Sequence, residues 1–479
     1  MSQQFESTTP SALDVVIMAA GKGTRMKSSL PKVLHRLAGR PLVWHVLDTA
    51  ARLGARNVVV VTGHGASDVE AALVKMPHGE TVRFARQMPQ MGTGHAVQQA
   101  APLLADDGTV IVLSGDVPLI SEDTLRELVL ASAGRRLALL TIEFDDPTGY
   151  GRIVRAAAEP GAEGEVTAIV EQKDADAAQR AIREVYSGVM AVPTRLLKPW
   201  LARLDSRNAQ GEFYLTDIVG FATVDGVPVV AHRTEDALQV AGVNSAAQLA
   251  ALERALQLRQ AQALMAHGVR LADPARLDVR GTLVCESDVE IDINCVFEGA
   301  VSLGAGVRVG AHCVIANARI DAGAVIHPFT HIDGEDSGVT VGTASRIGPF
   351  ARLRPGARLG AEVHIGNFVE IKNSTLAEGA KANHLAYLGD ATVGAGVNFG
   401  AGSITANYDG ANKHRTILGD EVHVGSNCVL VAPVTIGAGG TIGGGSTITK
   451  STEAGALTIA RGRQMSFANW RRPAKAPKE

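Results

Sequence analysis

Over much of the stretch 289–450 an apolar residue returns at every sixth position, and no other feature of the chain restricts its fold so tightly. Ile347, Leu353, Leu359, Ile365 and Ile371 make one series, and Leu418, Val424, Leu430, Ile436, Ile442 and Ile448 another. A step of six falls on opposite sides of a 3.6-residue helix, so neither series is helical. Glycine follows many of these residues directly, as at Gly348, Gly360, Gly366, Gly419, Gly425, Gly437 and Gly443, which suits a chain turning a corner after each short strand. The period is that of a hexapeptide-repeat parallel β-helix. Six residues at ~3.3 Å each give a side of ~20 Å, so three repeats close one triangular coil. The ladder serves packing, and chemistry is expected where it breaks: between Ile332 and Ile347, between Ile371 and Val393, and between Ile404 and Leu418.

A chain of 479 residues is too long for one core and predicts two or three domains. Charge is nearly balanced, with 49 acidic and 46 basic residues, so bulk electrostatics predicts no nucleic acid and no membrane partner. Cys285, Cys295, Cys313 and Cys428 have neither metal-ligand spacing nor a paired framework. With no signal peptide and no apolar run of spanning length, they point to a reducing, cytoplasmic setting. The expected division is a disordered leader over 1–12, an α/β domain over 13–244, a linker helix over 245–268, the β-helix over 269–455 and a basic tail over 456–479, its last residues disordered. The helix is signalled by a capping-box pattern at Ser245-Ala246-Ala247-Gln248 and by Leu249, Leu252, Leu256 and Ala263 at helical spacing.

In the first domain an apolar strand over 13–19 runs into Ala20-Gly21-Lys22-Gly23-Thr24-Arg25-Met26. Glycine just past a strand lets backbone N–H groups approach a phosphate, with Lys22 and Arg25 supplying charge. A plain strand-to-helix turn has the same pattern, and the residues alone leave both readings open. Leu30-Pro31-Lys32 adds a basic residue fixed by proline. Strands and helices then alternate as in a βαβ sheet: a helix over 43–53, a strand over 57–62, a helix over 67–75, an edge strand over 81–85, a loop from Gln87 opening a helix that ends near Leu104, and a buried strand over 109–113. Ser114-Gly115-Asp116 follows, at the strand end where open α/β sheets bind ligands, so Asp116 is a candidate to hold a cation on nucleotide phosphates. A simple turn by Asp116 and Pro118 is the alternative.

In the β-helix, Arg352-Leu353-Arg354-Pro355-Gly356 and Glu370-Ile371-Lys372-Asn373 present cations; Arg suits bidentate phosphate binding and Lys a point contact. Solvated charges on a coil face are the alternative. His384, in Asn383-His384-Leu385-Ala386-Tyr387-Leu388-Gly389-Asp390, falls inside the largest break; it is either a general base or one of 14 histidines with no role.

Taken together, Ala19-Ala20-Gly21-Lys22-Gly23-Thr24-Arg25-Met26, Leu30-Pro31-Lys32, Gly92-Thr93-Gly94-His95-Ala96 and Gly115-Asp116-Val117-Pro118-Leu119 resemble the sugar-1-phosphate nucleotidylyltransferases. Followed by a hexapeptide β-helix, they make nearly the whole chain after the leader resemble the bacterial family of bifunctional N-acetylglucosamine-1-phosphate uridylyltransferase/glucosamine-1-phosphate N-acetyltransferases. The resemblance implies an α/β Rossmann-like nucleotidyltransferase domain, a linker helix, and a left-handed parallel β-helix assembled as a homotrimer with acetyl sites shared between subunits. It implies that Met18, Ala19, Ala20 and Gly21 hold the nucleotide, that Lys32 contacts its phosphates, and that Gln87, Gly92 and Thr93 read uracil. Ser114, Gly115 and Asp116 line the same site, Asp116 and Asn244 bind Mg2+, and Gly151, Glu171 and Tyr186 surround the N-acetylglucosamine unit. In the second site it implies His384 as base, Arg354 and Lys372 as sugar-phosphate ligands, Tyr387 and Asn398 as further substrate contacts, and Ala401, Asn407, Tyr408, Ser426, Gly444 and Arg461 on the acetyl-CoA side.

The implied activity is acetyl transfer from acetyl-CoA to glucosamine 1-phosphate, then uridylyl transfer from UTP to N-acetylglucosamine 1-phosphate, yielding a precursor for peptidoglycan and lipopolysaccharide. Three residues depart from the family pattern: Ser114 stands for Tyr, Tyr186 for Asn, and Ala241 for an acidic residue. Tyr186 is therefore either a neighbour of the sugar or an ordinary strand residue with its hydroxyl at the surface. Two competing readings remain at this level: a uridylyltransferase whose β-helix is only an assembly or regulatory module, or an acetyltransferase that has lost the uridylyl step.

Overall fold

The computed structural model describes residues 12–157 and 163–475. The expected leader, apart from Ala12, and the last four residues of the tail lie outside the described residues. The chain forms two compact units, 1–256 and 257–479, each with its own core.

The first unit is built on a sheet of nine strands among the described residues: β1 (Leu13–Ala19), β2 (Asn57–Thr62), β3 (Val82–Arg86), β4 (Thr109–Ser114), β5 (Leu137–Glu143), β6 (Arg152–Arg155), β7 (Val166–Val170), β8 (Glu184–Pro193) and β9 (Val229–Arg233). Their order is β9-β5-β8-β4-β1-β2-β3, with β6 paired to β7 and to the start of β8. Strands β1 to β4 are mutually parallel, while β8 runs antiparallel between β4 and β5. The central strands β1, β2 and β4 are continuous runs of Val, Ile and Leu because both of their faces are covered, by one apolar cluster on each side of the sheet. The chain leaves β1 for β2 on one side and returns from β3 to β4 on the other. The carboxyl ends of β1 and β4 are therefore the topological switch point, where open α/β sheets bind ligands.

Helix Ala246–Ala266 carries the unit boundary within it. Its start is capped as the sequence suggests: Ser245 Oγ accepts from Gln248 N–H at 3.2 Å, while Gln248 Oε1 accepts from Asn244 N–H at 2.9 Å. Leu249, Leu252 and Leu256 pack with Leu37 and Leu42 in the first unit, and Gln257 pairs with both backbone groups of Val279 in the second. No helix among the described residues is long and apolar enough to cross a membrane.

The second unit is a parallel β-helix that begins at Arg270, earlier than the ladder visible in the sequence, and runs to Thr458. Arg346 pairs with His364 and Arg352 with Glu370, each 18 residues on, which is three hexapeptides per coil. One face is a ladder of eleven short strands among the described residues; the other two share one pairing path, because strand Val314–Ile320 bends across a corner. Many corner residues take the left-handed conformation, including Phe329, Phe350 and Phe368, whose exposed rings stack with centroids 5.1 and 5.4 Å apart.

The three breaks have different origins. The first is a polar insertion: Val325 pairs with Arg346, 21 residues on. The third is the largest, for Asn398 pairs with His423, 25 residues on, leaving a loop after Asn407. The second is no loop, and the expectation that His384 lies in an interruption is corrected. Lys381–His384 and Tyr387–Gly389 are regular strands, and Glu370 pairs with Tyr387 only one residue short of a full coil. The ladder continues there through buried Ala380, Ala382, Ala386 and Leu388, so alanine fills inward positions where a search for Ile and Leu sees nothing.

Candidate active sites

At the switch point a cleft of about 460 Å³ is lined by Met18, Ala19, Ala20, Gly21, Lys32, Gln87, Gly92, Thr93, Ser114 and Asp116, together with Lys22 and Glu212. Ten of the residues expected at the nucleotide site thus line one cleft. Gly115 lies beneath it and donates its N–H to Met18 O at 2.9 Å, bracing the ends of β4 and β1 together. Gly92 has φ 103°, and a Cβ there would lie 2.6 Å from Phe213 O, so only glycine lets the chain pass at this point. Gln87 is buried, and its Nε2 donates to Gly92 O at 2.8 Å, which fixes the side-chain amide in the cleft.

Three residues far apart in sequence meet beside this cleft. Lys32 Nζ donates to a carboxylate oxygen of Asp116 and to Asn244 Oδ1 at 3.1 Å, and Val243 N–H donates to Asp116 O at 2.9 Å, tying the two loops together. Asp116 and Asn244 both turn oxygen onto a single cation. That donor set suits a hard divalent ion that takes few protein ligands and keeps phosphate and water as the rest.

Gly151, Glu171 and Tyr186 form a second cluster. Tyr186 N–H donates to Gly151 O at 2.9 Å, and a Cβ on Gly151 would lie 3.6 Å from Glu171 Oε1. Register slips between Tyr186 and Met190, a bulge that re-aims the backbone beside the site. The alternative that Tyr186 carries its hydroxyl at the surface is corrected: the residue is buried, its Oη has no hydrogen-bond partner, and burial pushes its phenol pKa up, with the Glu171 carboxylate adding to the shift. Burial raises Glu171 as well, against the 2.9 Å hydrogen bond it accepts from Thr216 Oγ1. Ser114 Oγ lies 3.6 Å from where a Cβ on Gly188 would stand, so the bulge runs directly beside the residue that replaces the family's Tyr.

In the β-helix the structure gathers the expected residues into two groups. Asn367, His384, Ala401, Ser426 and Gly444 occupy one corner on successive coils. Their carbonyls accept in turn from the next coil: Leu385 N–H to Asn367, Gly402 N–H to His384, Asn427 N–H to Ala401 and Gly445 N–H to Ser426, at 2.8–3.2 Å. Arg461 Nη1 donates to Gly444 O at 2.7 Å at the top of the column. Asn367, which sequence reasoning missed, has its Oδ1 2.8 Å from His384 Nδ1. An amide oxygen only accepts, so in the neutral ring the proton sits on Nδ1 and the lone pair on Nε2.

The second group lies past that corner. Arg354 donates to Glu370 Oε1 at 2.8 Å, which raises the guanidinium pKa. Lys372 is held below its ordinary value by the Arg354 charge first, then burial, then the ammonium of Lys413. Three cations thus converge, with the carboxylates of Glu370 and Asp390 beside them, so positive charge is in excess and an anion is favoured. Lys413 and Glu370 were not singled out from sequence; the signal for Lys413 was its place in the third break. Tyr387 folds back over Gly389, where a Cβ would stand 2.3 Å from Tyr387 Oη and 2.8 Å from Asn407 Nδ2, bringing those two residues together. Asn407 in turn donates to buried Asp390 at 2.5 Å. Tyr408 donates its hydroxyl to Gly410 O at 2.6 Å within the loop that Lys413 closes. Asn398 does not join this group. It sits on the eleven-strand face beside His423, before the corner.

Fold and chemistry define a class: a nucleotidyltransferase joined to a hexapeptide-repeat transferase. Family models match both parts, a MobA-like NTP transferase domain over residues 15–271 and a bacterial transferase hexapeptide (six repeats) over 415–450. A protein of Paracidovorax citrulli (strain AAC00-1) described as Bifunctional protein GlmU is 71% identical over 477 residues, 98% of this chain and 100% of that one. Proteins of the same description from Albidiferax ferrireducens and Azoarcus sp. (strain BH72) are 70% and 54% identical, each covering 97% of this chain and matched over their whole length. The chain belongs to the GlmU family: it is a bifunctional enzyme, a uridylyltransferase in its Rossmann-like N-terminal part and an acetyltransferase in its left-handed parallel β-helix. The readings that gave it a single activity fall with that result.

Proposed function

We propose that residues 269–455 transfer the acetyl group of acetyl-CoA to glucosamine 1-phosphate, and that residues 13–244 couple the product to UTP. In the first reaction the sugar phosphate is held by Arg354, Lys372 and Lys413, with Tyr387 and Asn398 as further contacts. His384 Nε2 takes a proton from the amine as its nitrogen attacks the thioester carbonyl. The C–N bond forms, the C–S bond breaks, and the proton passes to the departing thiolate. Acetyl-CoA lies along the corner column of Ala401, Ser426, Gly444 and Arg461, with Asn407 and Tyr408 at its side. The observation that carries this reading is the polarised His384–Asn367 pair, at the foot of that column and three residues from Tyr387.

In the second reaction a phosphate oxygen of N-acetylglucosamine 1-phosphate attacks the α-phosphorus of UTP, and the bond to the β-phosphate breaks to release pyrophosphate. Met18 to Gly21 cradle the nucleotide, Gln87, Gly92 and Thr93 meet uracil, and Gly151, Glu171 and Tyr186 enclose the sugar. Mg2+, when bound by Asp116 and Asn244, supplies the charge neutralisation that phosphoryl-type transfer needs. The working unit is a cytoplasmic homotrimer. The exposed Phe329, Phe350 and Phe368 stack and the separation of Asn398 from the cation group support sites completed by a neighbouring copy.

Thiol release from acetyl-CoA, measured with glucosamine 1-phosphate and without UTP, tests the acetyl reading. It is expected to require the sugar and to fall by about 10²–10⁴-fold in His384→Ala. Pyrophosphate release from UTP and N-acetylglucosamine 1-phosphate is expected to survive that substitution and to be lost in Asp116→Asn. Full thiol release by His384→Ala sinks the assignment of the base.

A further inference from the structure

The nucleotide site holds a cation of its own. Lys32 follows Pro31 and opens a short helical turn, Lys32–Leu34, which fixes its backbone. Its stem is pressed by the Gly23 turn, where a Cβ would stand 2.7 Å from Lys32 Cβ. Its ammonium bonds both oxygens that would hold the metal, Asp116 and Asn244, and the Lys32 and Asp116 side chains are only 14% and 18% exposed. We propose that Lys32 is a tethered stand-in for the metal: it occupies the cation position in the nucleotide-free enzyme and must swing out before a divalent ion can bind.

The proposal rests on the reading of Asp116 and Asn244 as the metal ligands. A divalent ion takes such oxygens at ~2.1 Å, inside the volume the ammonium fills, and two cations on one carboxylate repel. The displaced ammonium needs a new anion, and the phosphates of a nucleotide in the same cleft are that anion, since Lys22, Lys32 and Asp116 all line it. Metal and nucleotide therefore favour each other's binding through Lys32, and neither site is left as a bare carboxylate between turnovers. A purely structural ion pair predicts the opposite: removing Lys32 would loosen Asp116 and weaken the metal site.

The test is Mn2+ binding to the full chain without nucleotide, read by loss of the free-ion paramagnetic signal. Lys32→Met is expected to bind Mn2+ at least about tenfold tighter than wild type, because a charge-assisted competitor is gone. Lys32→Met combined with Asp116→Asn is expected to lose that gain. Equal or weaker binding by a Lys32→Met protein with unchanged circular dichroism overturns the stand-in role while leaving the metal site intact. Binding in no protein above the Asp116→Asn background overturns the metal assignment and the proposal with it. In wild type, mass spectrometry after amine acylation supplies a readout independent of folding: added Mg2+ is expected to speed modification of Lys32, and an unchanged rate counts against the exchange.

Discussion

His384 and Asn367 stand in register on neighbouring coils, Nδ1 of the ring 2.8 Å from Oδ1 of the amide. Asn367 acts through the ring: it favours the tautomer of the neutral imidazole that leaves Nε2 free. Asn367→Ala is expected to lower kcat for acetyl transfer by about tenfold to a hundredfold, part of the ~10²–10⁴ that a positioned base supplies, with KM nearly unchanged. Asn367→Asp is expected to move the acid limb of the rate profile to higher pH, because a neighbouring carboxylate favours the imidazolium. Acetyl transfer rates across pH for both variants check this, and an unshifted limb in Asn367→Asp would count against a positioning role.

Lys413 completes a group of three cations through its effect on Lys372. Lys413→Ala is expected to raise KM for glucosamine 1-phosphate about tenfold while leaving kcat within about twofold, as loss of one charge-assisted contact to a bound anion does. The same variant should show a weaker dependence of KM on salt.

Asp217 is half-buried close to Asp205, Glu171 and Asp174. Burial first, and those carboxylates next, push its pKa up to about 6. Here the folded state holds its proton more tightly than the unfolded chain, so stability falls as pH rises from about 4 to about 6, and the cost is full above that range. Asp217→Asn is expected to raise stability at pH 7.5 by about 1 kcal/mol, after discounting for solvent screening, and to change little at pH 4. Melting curves at the two pH values decide it: an equal gain at both would mean the effect is not electrostatic.

Asp14 is fully buried at the start of β1, away from the cleft, where Arg56 meets both of its oxygens at 3.0 and 3.1 Å and Asn57 donates at 3.0 Å. Arg56→Ala leaves a buried carboxylate with hydrogen bonds from Asn57 and Ala105 N–H but without its cation, and is expected to cost about 3 kcal/mol. Arg56→Ala combined with Asp14→Asn should recover much of that loss. Urea denaturation of wild type, single and double variants measures it.

Much of this protein was legible from local pattern. The six-residue period specifies the coil because its geometry repeats every three strands, so Arg346 must lie under His364. The apolar strand before Ala20 and the one before Ser114 identify two central strands of a parallel sheet, and their carboxyl ends identify the cleft. Tertiary structure alone decided the rest. Lys32, Asp116 and Asn244 are separated by 84 and 212 residues from the lysine, and no local spacing predicts that their side chains share one point. Asn367 reads as an ordinary residue after glycine until the coil above sets His384 against it. The ladder through Ala380, Ala382 and Ala386 looked like an interruption because a methyl group carries little hydrophobic signal, yet it suffices where neighbouring coils already supply the apolar surface. Period and composition determine which backbone forms; which side chains meet depends on how that backbone stacks residues distant in the chain.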